Sequence, residues 1–490
     1  MIRDTSVLYR GPLTALMAVF LVFVAAYIYV GAFAIGYRPV VLVIGGAFFF
    51  LGCTLFAREL RQFLVFAALF CIPLQFGYHV VHIPLVDSEV QPFASGIAID
   101  SVDVIVLLLY VHWAFLLSAK RVSGFTLGNP VGGLLLSWIA FCLVTSLWLS
   151  QALEYSIFEI VVLFKGFLLY FYLVNNTRTE EDVKVIVAAL IVGAVAHSVY
   201  IIGQFVTGWN YTIHGVLETY VGPEGFRSVG FFGSPDAASA MMSLVLPILI
   251  CFLFVQKSRP LRVLAVVSIA SIIVALMCTK VRATAGALLV STTIVVMVSY
   301  TRGWVSQRTV LAFTVVGLLV VAVLSPFLYE RFAKGTWGED RMPLAFTAVN
   351  MFWEHWIGGI GINNYHVAFQ RYLPQEYRYT WPYVVHIEYL YRLAETGIVG
   401  FTLYYAMIVA MMVKLWRGLR TSVPWVFVLS LGIFSGMTGS LFHRFFSAYH
   451  YVNLFIFFCV LLALAVTADR YGRAEATVEA DKAGVPGTKR

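Results

Sequence analysis

Runs of about 20 apolar residues recur along almost the whole chain, and they limit its fold more than any other feature. Such a run crosses a bilayer as one α-helix, because only a helix satisfies every backbone N–H and C=O within the segment itself. Hydrophobic residues make up 61% of the 490 residues and charged residues only 12%, whereas soluble domains carry about 25% charged residues. The sequence therefore predicts an all-α polytopic membrane protein.

The apolar windows predict about 12–14 transmembrane helices. The windows are 12–30, 39–56, 62–77, 97–118, 129–148, 155–174, 184–206, 236–256, 263–278, 285–300, 309–326, 396–414, 425–441 and 449–468. Two of them, 62–77 and 285–300, are short enough to be half-spans or tilted helices. We expect residues 1–470 to form a single transmembrane domain and residues 471–490 to form a disordered cytoplasmic tail.

Lys and Arg residues in the short loops predict the orientation of the chain. If the N-terminus is cytoplasmic, the loops that fall inside are rich in Lys and Arg, and the loops between them are poorer in positive charge. The one long loop, at about 327–395, then lies outside. The formal net charge of +8 is scattered over these loops. We therefore expect a lipid bilayer as partner and no nucleic acid.

The long loop, 327–395, combines Arg, His, Glu, Asn, Trp and Tyr, whereas Leu, Val, Ile and Phe dominate the other segments. A long loop with its own helical pattern is usually functional. Apolar and aromatic residues recur at helical spacing over 346–356, which predicts an amphipathic helix at the membrane interface. Residues 358–365 predict a tight turn between two loop helices, since no strand precedes these glycines and no Lys-Ser/Thr follows them.

Arg227 and Arg282 are the first candidates for a binding role. Exterior short loops disfavour positive charge, and both residues adjoin a span beside small residues, where a ligand can approach the backbone. A guanidinium forms bidentate, charge-assisted bonds with a diphosphate and stays protonated. Ser234-Pro235-Asp236 predicts a helix start with a side-chain cap, and the helix dipole there also suits phosphate. The structural alternative is a snorkelling side chain or an ion pair with a carboxylate.

His386 is the candidate general base. An imidazole has an unperturbed pKa of about 6.5, so it can accept a proton from a sugar hydroxyl at neutral pH. Helical spacing places His386 on one face with Leu390 and Leu393 as the next span begins. A histidine that only hydrogen-bonds within the loop explains the sequence equally well.

Other charged residues have weaker claims. The candidate supporting residues are Arg341, Arg392, Glu395 and Lys280. Lys165 lies inside an apolar run, where a charge is costly. It either neutralises Glu154 or Glu159 of its own helix or reaches a cavity. The six cysteines fall in or beside apolar runs without CxxC spacing, and carboxylates do not cluster, so we expect no disulfide framework, metal or cofactor.

Three segments share their order and spacing with a known family. They are 227–232 with 234–236, then 281–284, then the long loop with its 359–361 turn, His386, Glu395 and the glycines of 397–400. In this order they resemble the O-antigen ligase and polymerase superfamily of bacterial membrane glycosyltransferases. The resemblance implies a multi-pass enzyme of the bacterial inner membrane with its active site facing the periplasm.

The resemblance also implies a reaction and roles for three residues. A glycan would pass from undecaprenyl diphosphate to an acceptor sugar hydroxyl, on lipid A-core for a ligase or on another lipid-linked repeat for a polymerase. Arg227 and Arg282 would hold the diphosphate, and His386 would activate the acceptor hydroxyl without a metal. Two other classes stay open: a transporter or flippase of lipid-linked oligosaccharide, for which inverted repeats are expected, and a non-catalytic assembly partner.

Overall fold

The structure of the protein is a computed structural model. It describes residues 60–73, 77–83, 92–118, 125–208, 212–213, 216–217, 220–222, 225–308, 310–311, 314–315, 341–375, 384–447 and 451–482. This part of the chain is mostly α-helical, which confirms the predicted all-α class. The predicted windows 12–30 and 39–56, and most of 309–326, lie outside the described residues.

The helices and strands follow one another along the described chain in a simple order. The first half contains α1 (Leu60–Cys71), β1 (Gly77–His82), β2 (Gly96–Asp100), α2 (Ser101–Ser118), α3 (Val131–Leu149), α4 (Leu153–Asn176) and α5 (Glu180–Thr207). Four short strands follow: β3 (Thr212–Ile213), β4 (Val216–Leu217), β5 (Tyr220–Gly222) and β6 (Gly225–Arg227). The strands form three antiparallel pairs, β1–β2, β3–β4 and β5–β6.

The second half is again helical in the described ranges. Its helices are α6 (Pro235–Val255), α7 (Arg259–Thr279), α8 (Arg282–Thr301), α9 (Arg341–Glu354), α10 (Tyr365–Tyr372), α11 (Glu388–Gly418), α12 (Pro424–His443) and α13 (Val452–Lys482). Among the described residues, ten helices are long and apolar enough to cross a membrane: α2 to α8 and α11 to α13. Window 62–77, predicted to be short, is the 12-residue helix α1.

Helix α13 lies at the centre of the bundle, with 94% of its apolar window buried. Beside it, α6 and α12 pack closely because glycines remove side chains from their contact. A Cβ on Gly432 of α12 would lie 2.6 Å from the Cα of Ile248 on α6, and one on Gly436 would lie 3.0 Å from the Leu244 carbonyl oxygen. Small residues at such spacing let helix backbones approach in a membrane, where apolar burial alone gives no driving force.

Charged residues stabilise the end of the bundle where α4, α11 and α13 finish. Lys414 Nζ lies 2.9 Å from Asp469 Oδ2, and Arg473 pairs with the same carboxylate at 2.8 Å. Helix α13 continues to Lys482, so residues 471–482 are helical and not disordered as predicted. The Arg473–Asp469 pair, four residues apart, and the Ala- and Glu-rich sequence both favour helix there.

Lys165 has a different partner from the two that its own helix suggested. Its ammonium group pairs with Asp103 at the start of α2 and donates to the carbonyl oxygen of Ala98. The prediction of Glu154 or Glu159 as partner is therefore wrong, because the adjacent helix brings a carboxylate closer. Lys165 forms a half-buried structural pair between α2 and α4.

Candidate active site

The loop end of the bundle is defined here as the end where α3, α5, α7 and α12 finish and α4, α6, α8, α11 and α13 begin. Helices α9 and α10 pack against the first turns of α11 at this end, over a separate apolar cluster that includes Leu344, Phe369 and Tyr391. Helix α9 confirms that the segment predicted to be helical at 346–356 is largely helical, from Arg341 to Glu354. Its position at the membrane interface stays a prediction. The helix leaves Phe346 and Trp353 exposed on the opposite face.

The glycine-rich turn between α9 and α10 joins a break in α11. Gly397 interrupts the helix with φ 61° and ψ −173°. The backbone N–H groups of Ile360 and Gly361 donate to the carbonyl oxygens of Ala394 and Glu395, each at 3.1 Å, before the break. After the break, Ile398 N–H donates to the Trp356 carbonyl oxygen at 2.8 Å. The predicted tight turn is thus confirmed. It forms hydrogen bonds with the carbonyl and N–H groups of α11 that the break at Gly397 leaves without partners inside the helix.

Two asparagines extend this turn into the membrane domain. Asn363 donates to the carbonyl oxygens of Ala94 and Tyr155, both at 2.8 Å. Asn364 accepts from the N–H of Ala152 at 2.9 Å and donates to Ser156 Oγ at 2.7 Å. Both asparagines are fully buried. The turn is therefore a fixed bridge between α9, α10 and the first turn of α4.

Arg227 contacts the turn that leads to Arg282. At the end of β6, Arg227 Nε–H donates to the Thr279 carbonyl oxygen at 3.0 Å, and Ser228 N–H donates to Cys278 O at 3.3 Å. The last carbonyls of α7 thereby gain donors, as helix ends require. Arg282 begins α8 three residues after Thr279. The two arginines predicted to bind one anion therefore lie on segments in direct contact.

Lys280 shapes the turn between α7 and α8. It adopts the left-handed conformation with φ 54° and ends α7. Its ammonium lies 5.8 Å from the ring centre of Phe205. Arg282, the first residue of α8, has an exposed side chain. Arg341 begins α9, but its side chain lies outside the described residues.

The start of α6 differs from the predicted cap. Ser234 occupies the N-cap position, but its hydroxyl pairs with Tyr451 Oη at 2.8 Å and does not cap the helix. The predicted side-chain cap is therefore wrong, because a tyrosine from the segment before α13 takes the hydroxyl. Burial raises the pKa of Tyr451 above its ordinary value, and the Asp236 carboxylate raises it further, so the phenol stays protonated.

His386 lies before α11 and not on its face. Ile387 is the extended N-cap residue, with φ −124° and ψ 103°, so the predicted face shared with Leu390 and Leu393 is wrong. The half-buried ring has Nδ1 2.8 Å from the Val384 carbonyl oxygen. A carbonyl oxygen only accepts, so Nδ1 carries the proton and, in the neutral ring, Nε2 carries the lone pair. This is the tautomer that a general base needs.

A buried ionic network beside His386 is the main feature that sequence reasoning missed. Arg392 Nε donates to Glu388 Oε1 at 3.0 Å, and Arg392 Nη1 lies 3.4 Å from Glu159 Oε1. Arg444 Nη1 lies 3.6 Å from Glu388 Oε1 and donates to Tyr404 Oη at 2.8 Å. The two carboxylates and two guanidiniums balance in charge, which a buried cluster requires. The i,i+4 spacing of Glu388 and Arg392 was the available sequence signal.

Glu395, the other supporting candidate on α11, has a structural contact. Its Oε1 accepts the backbone N–H of Tyr365 at 3.2 Å, where α10 begins. Glu395 is fully buried and lies one turn beyond Arg392. Glu395 therefore holds α10 against α11, and Arg392 holds α11 against α4.

A small cavity of about 20 Å³ lies beside the ionic network, between α4, α6, α11, α12 and α13. Its polar lining comes from Glu159, Arg392, Tyr404, Ser440, Arg444 and Tyr451. Tyr451, which lines this cavity, also pairs with Ser234 at the N-terminus of α6. Phenyl rings, including Phe455 and Phe458, form the apolar side of the cavity.

Fold and site together define a multi-pass helical membrane protein with a buried ionic network beside the loop end of the bundle. Residues 267–405 match the family model described as O-antigen ligase. The match begins in α7 and ends in α11, so it includes Arg282 and His386 and stops short of Arg227. It confirms the resemblance to the O-antigen ligase and polymerase superfamily and supports a ligase- or polymerase-type glycosyltransferase acting on glycans at a lipid bilayer. No curated protein matches the chain significantly.

Proposed function

We propose that the protein transfers a glycan from undecaprenyl diphosphate to a sugar hydroxyl at the loop end of the bundle, on the periplasmic side of the inner membrane. One observation carries the proposal. Arg227 contacts the turn that leads to Arg282, and α12 contacts both the first turn of α8 and the segment after His386. These contacts support one shared site for the two arginines and the histidine.

The donor would be held by the arginines. Arg227 uses Nε at Thr279, and a guanidinium carries five N–H donors in all. The exposed Arg282 adds a second guanidinium and the N-terminus of α8, whose first N–H groups favour an anion. Two fixed cations stabilise the charge that grows on a diphosphate as it leaves. The prenyl chain of the donor would stay in the lipid around the bundle.

The acceptor would be activated by His386. Its Nε2 takes the proton of the acceptor hydroxyl while the hydroxyl oxygen bonds to the anomeric carbon. The bond from that carbon to the diphosphate oxygen breaks in the same step, and the electron pair goes to the diphosphate. Val384 holds the ring in the required tautomer throughout. Undecaprenyl diphosphate then leaves, and the imidazolium releases its proton to water.

The test is reconstitution of the purified protein with an undecaprenyl-diphosphate-linked glycan and candidate acceptors. We expect the wild-type protein to transfer glycan, and His386→Ala, Arg227→Ala and Arg282→Ala each to reduce transfer by at least about 100-fold. His355→Ala is the matched control, because this histidine lies in the same loop beside Glu354 and outside the proposed site. Full transfer by all three site variants would refute the assignment.

A deletion strain separates the two enzyme types. Long lipid-linked chains that fail to reach lipid A-core indicate a ligase, whereas accumulated single repeats indicate a polymerase. If the His386→Ala variant moves lipid-linked glycan across the vesicle membrane but transfers no glycan to an acceptor, the protein would instead be a transporter.

A further inference from the structure

The C-terminal end of α12, from Leu441 to its C-cap residue Arg444, bonds to two segments of the proposed site. On one side, His443 Nε2 lies 3.2 Å from Thr284 Oγ1, in the first turn of α8. Thr284 is two residues from Arg282. On the other side, the Arg444 carbonyl oxygen accepts the N–H of Glu388 at 3.0 Å, two residues from His386.

The first set of bonds has a definite direction. Ser239 Oγ donates to the Asp236 carbonyl oxygen at 3.0 Å, and a carbonyl can only accept. Ser239 therefore accepts from Thr284 Oγ1, which lies 2.9 Å away. Because the Thr284 hydroxyl has only one proton, His443 Nε2–H must donate to it. A single chain of hydrogen bonds thus runs from α12 through α8 to the first turn of α6.

The second set fixes the segment that carries His386. Tyr389 Oη donates to the Leu441 carbonyl oxygen at 2.8 Å. The ring of Tyr389 lies 4.5 Å from that of Phe445, measured between centroids. With the bond between Glu388 and Arg444, two successive residues after His386 are held by the same helix end. Both sets of hydrogen bonds therefore start from the same four residues, Leu441 to Arg444.

We propose that Thr284 and His443 are positioning residues, which set the distance between the acceptor-activating His386 and the diphosphate-binding Arg282. This role rests on the proposed function. Neither side chain needs to touch the substrate. Both side chains are buried. The hydrogen bond between the Thr284 hydroxyl and the His443 imidazole fixes the distance and the relative orientation of α8 and α12, whereas apolar side chains of similar shape would only pack together.

The consequence is a specific kinetic pattern. Misplacement of a catalytic group by about 1 Å can cost on the order of 100-fold in rate. Loss of the Thr284 hydroxyl should therefore lower kcat by about 10- to 100-fold. The KM for the donor should change much less, because the bond from Arg227 to the Thr279 carbonyl oxygen does not involve this chain.

The experiment measures kcat and donor KM per folded protein for two pairs of variants. Thr284→Val removes the hydroxyl, and Thr284→Ser restores it. His443→Leu removes the donor, and His443→Gln supplies an N–H near the position of Nε2. Thr293→Val is the control on the same helix, because its exposed hydroxyl only bonds the Leu289 carbonyl oxygen. We expect loss in the first member of each pair, recovery in the second, and no change in the control.

The outcomes separate this inference from the proposed function. Absence of transfer by the wild-type protein would refute the function and the positioning role with it. Transfer by the wild type with unchanged kcat in Thr284→Val and His443→Leu would refute the positioning role alone. Loss that Thr284→Ser and His443→Gln do not recover would also refute it. If Thr284→Val does not fold, the His443 pair decides by the same criteria.

Discussion

Glu388 and Arg444 are joined twice: the backbone N–H of Glu388 donates to the carbonyl oxygen of Arg444 at 3.0 Å, and their side chains lie 3.6 Å apart. The backbone bond would persist in almost any variant, whereas the ionic contact depends on both side chains. This double link makes α12 and the start of α11 one rigid corner beside His386.

Removal of one charge from the Glu388–Arg444 pair should lower the stability of the folded protein. Arg444→Met leaves the fully buried Glu388 with less compensation, and loss of one partner of a buried pair typically costs about 3–5 kcal/mol. We expect a clear fall in the thermal unfolding midpoint in detergent. Arg371→Ala is the control, since its ion pair with Glu354 is exposed and worth at most about 1 kcal/mol. Equal midpoints for the two variants would contradict the network's role.

His386→Asn separates base function from loop structure. The asparagine amide can still donate to the Val384 carbonyl oxygen, as Nδ1–H does, but it has no basic nitrogen. We therefore expect kcat to fall by about 100- to 10,000-fold while the unfolding midpoint stays near that of the wild type. A variant that keeps more than a tenth of wild-type kcat would show that His386 is not the base.

Gly397→Ala should disturb the break in α11. At φ 61°, a new Cβ would lie 2.3 Å from the Ile357 carbonyl oxygen, and such strained positions cost about 1–3 kcal/mol before any clash is counted. We expect less folded protein and lower transfer. Gly203→Ala on α5 is the matched control, because nothing lies within 4 Å of its added Cβ and alanine favours helix. A fall in stability in Gly203→Ala but not in Gly397→Ala would contradict the structural role given to Gly397.

Lys165→Met should weaken the fold without affecting catalysis. The substitution leaves the half-buried Asp103 carboxylate without its ammonium partner, which costs about 1–3 kcal/mol. Transfer per folded protein should equal that of the wild type, because the bonds of Lys165 go to Ala98 and Asp103, which the proposed site does not use. In a double-mutant cycle, Asp103→Asn should recover part of the lost midpoint in the Lys165→Met background. A specific loss of kcat would instead indicate a catalytic lysine.

The sequence predicted the helices because each repeats the same strong signal, a long apolar run. It also marked Arg227, Arg282 and His386, since polar residues stand out in such a chain. The ionic network was less accessible. Glu159 lies 229 residues before Glu388 in the chain, and no local pattern tells which helices will be neighbours. For the same reason, the partners of Lys165 and Ser234 came from other segments than those expected.

The bonds that the glycine turn forms on both sides of Gly397 bear on how this chain can be recombined with its relatives. A chimera that exchanges only the loop would cut through these bonds and through the buried Asn363 and Asn364 contacts with α4. If residues 341 to 400 are exchanged together, the bonds between the glycine turn and α11 all come from the same protein. Segment swaps meant to change acceptor preference should therefore take the loop and the kinked helix as one inherited unit.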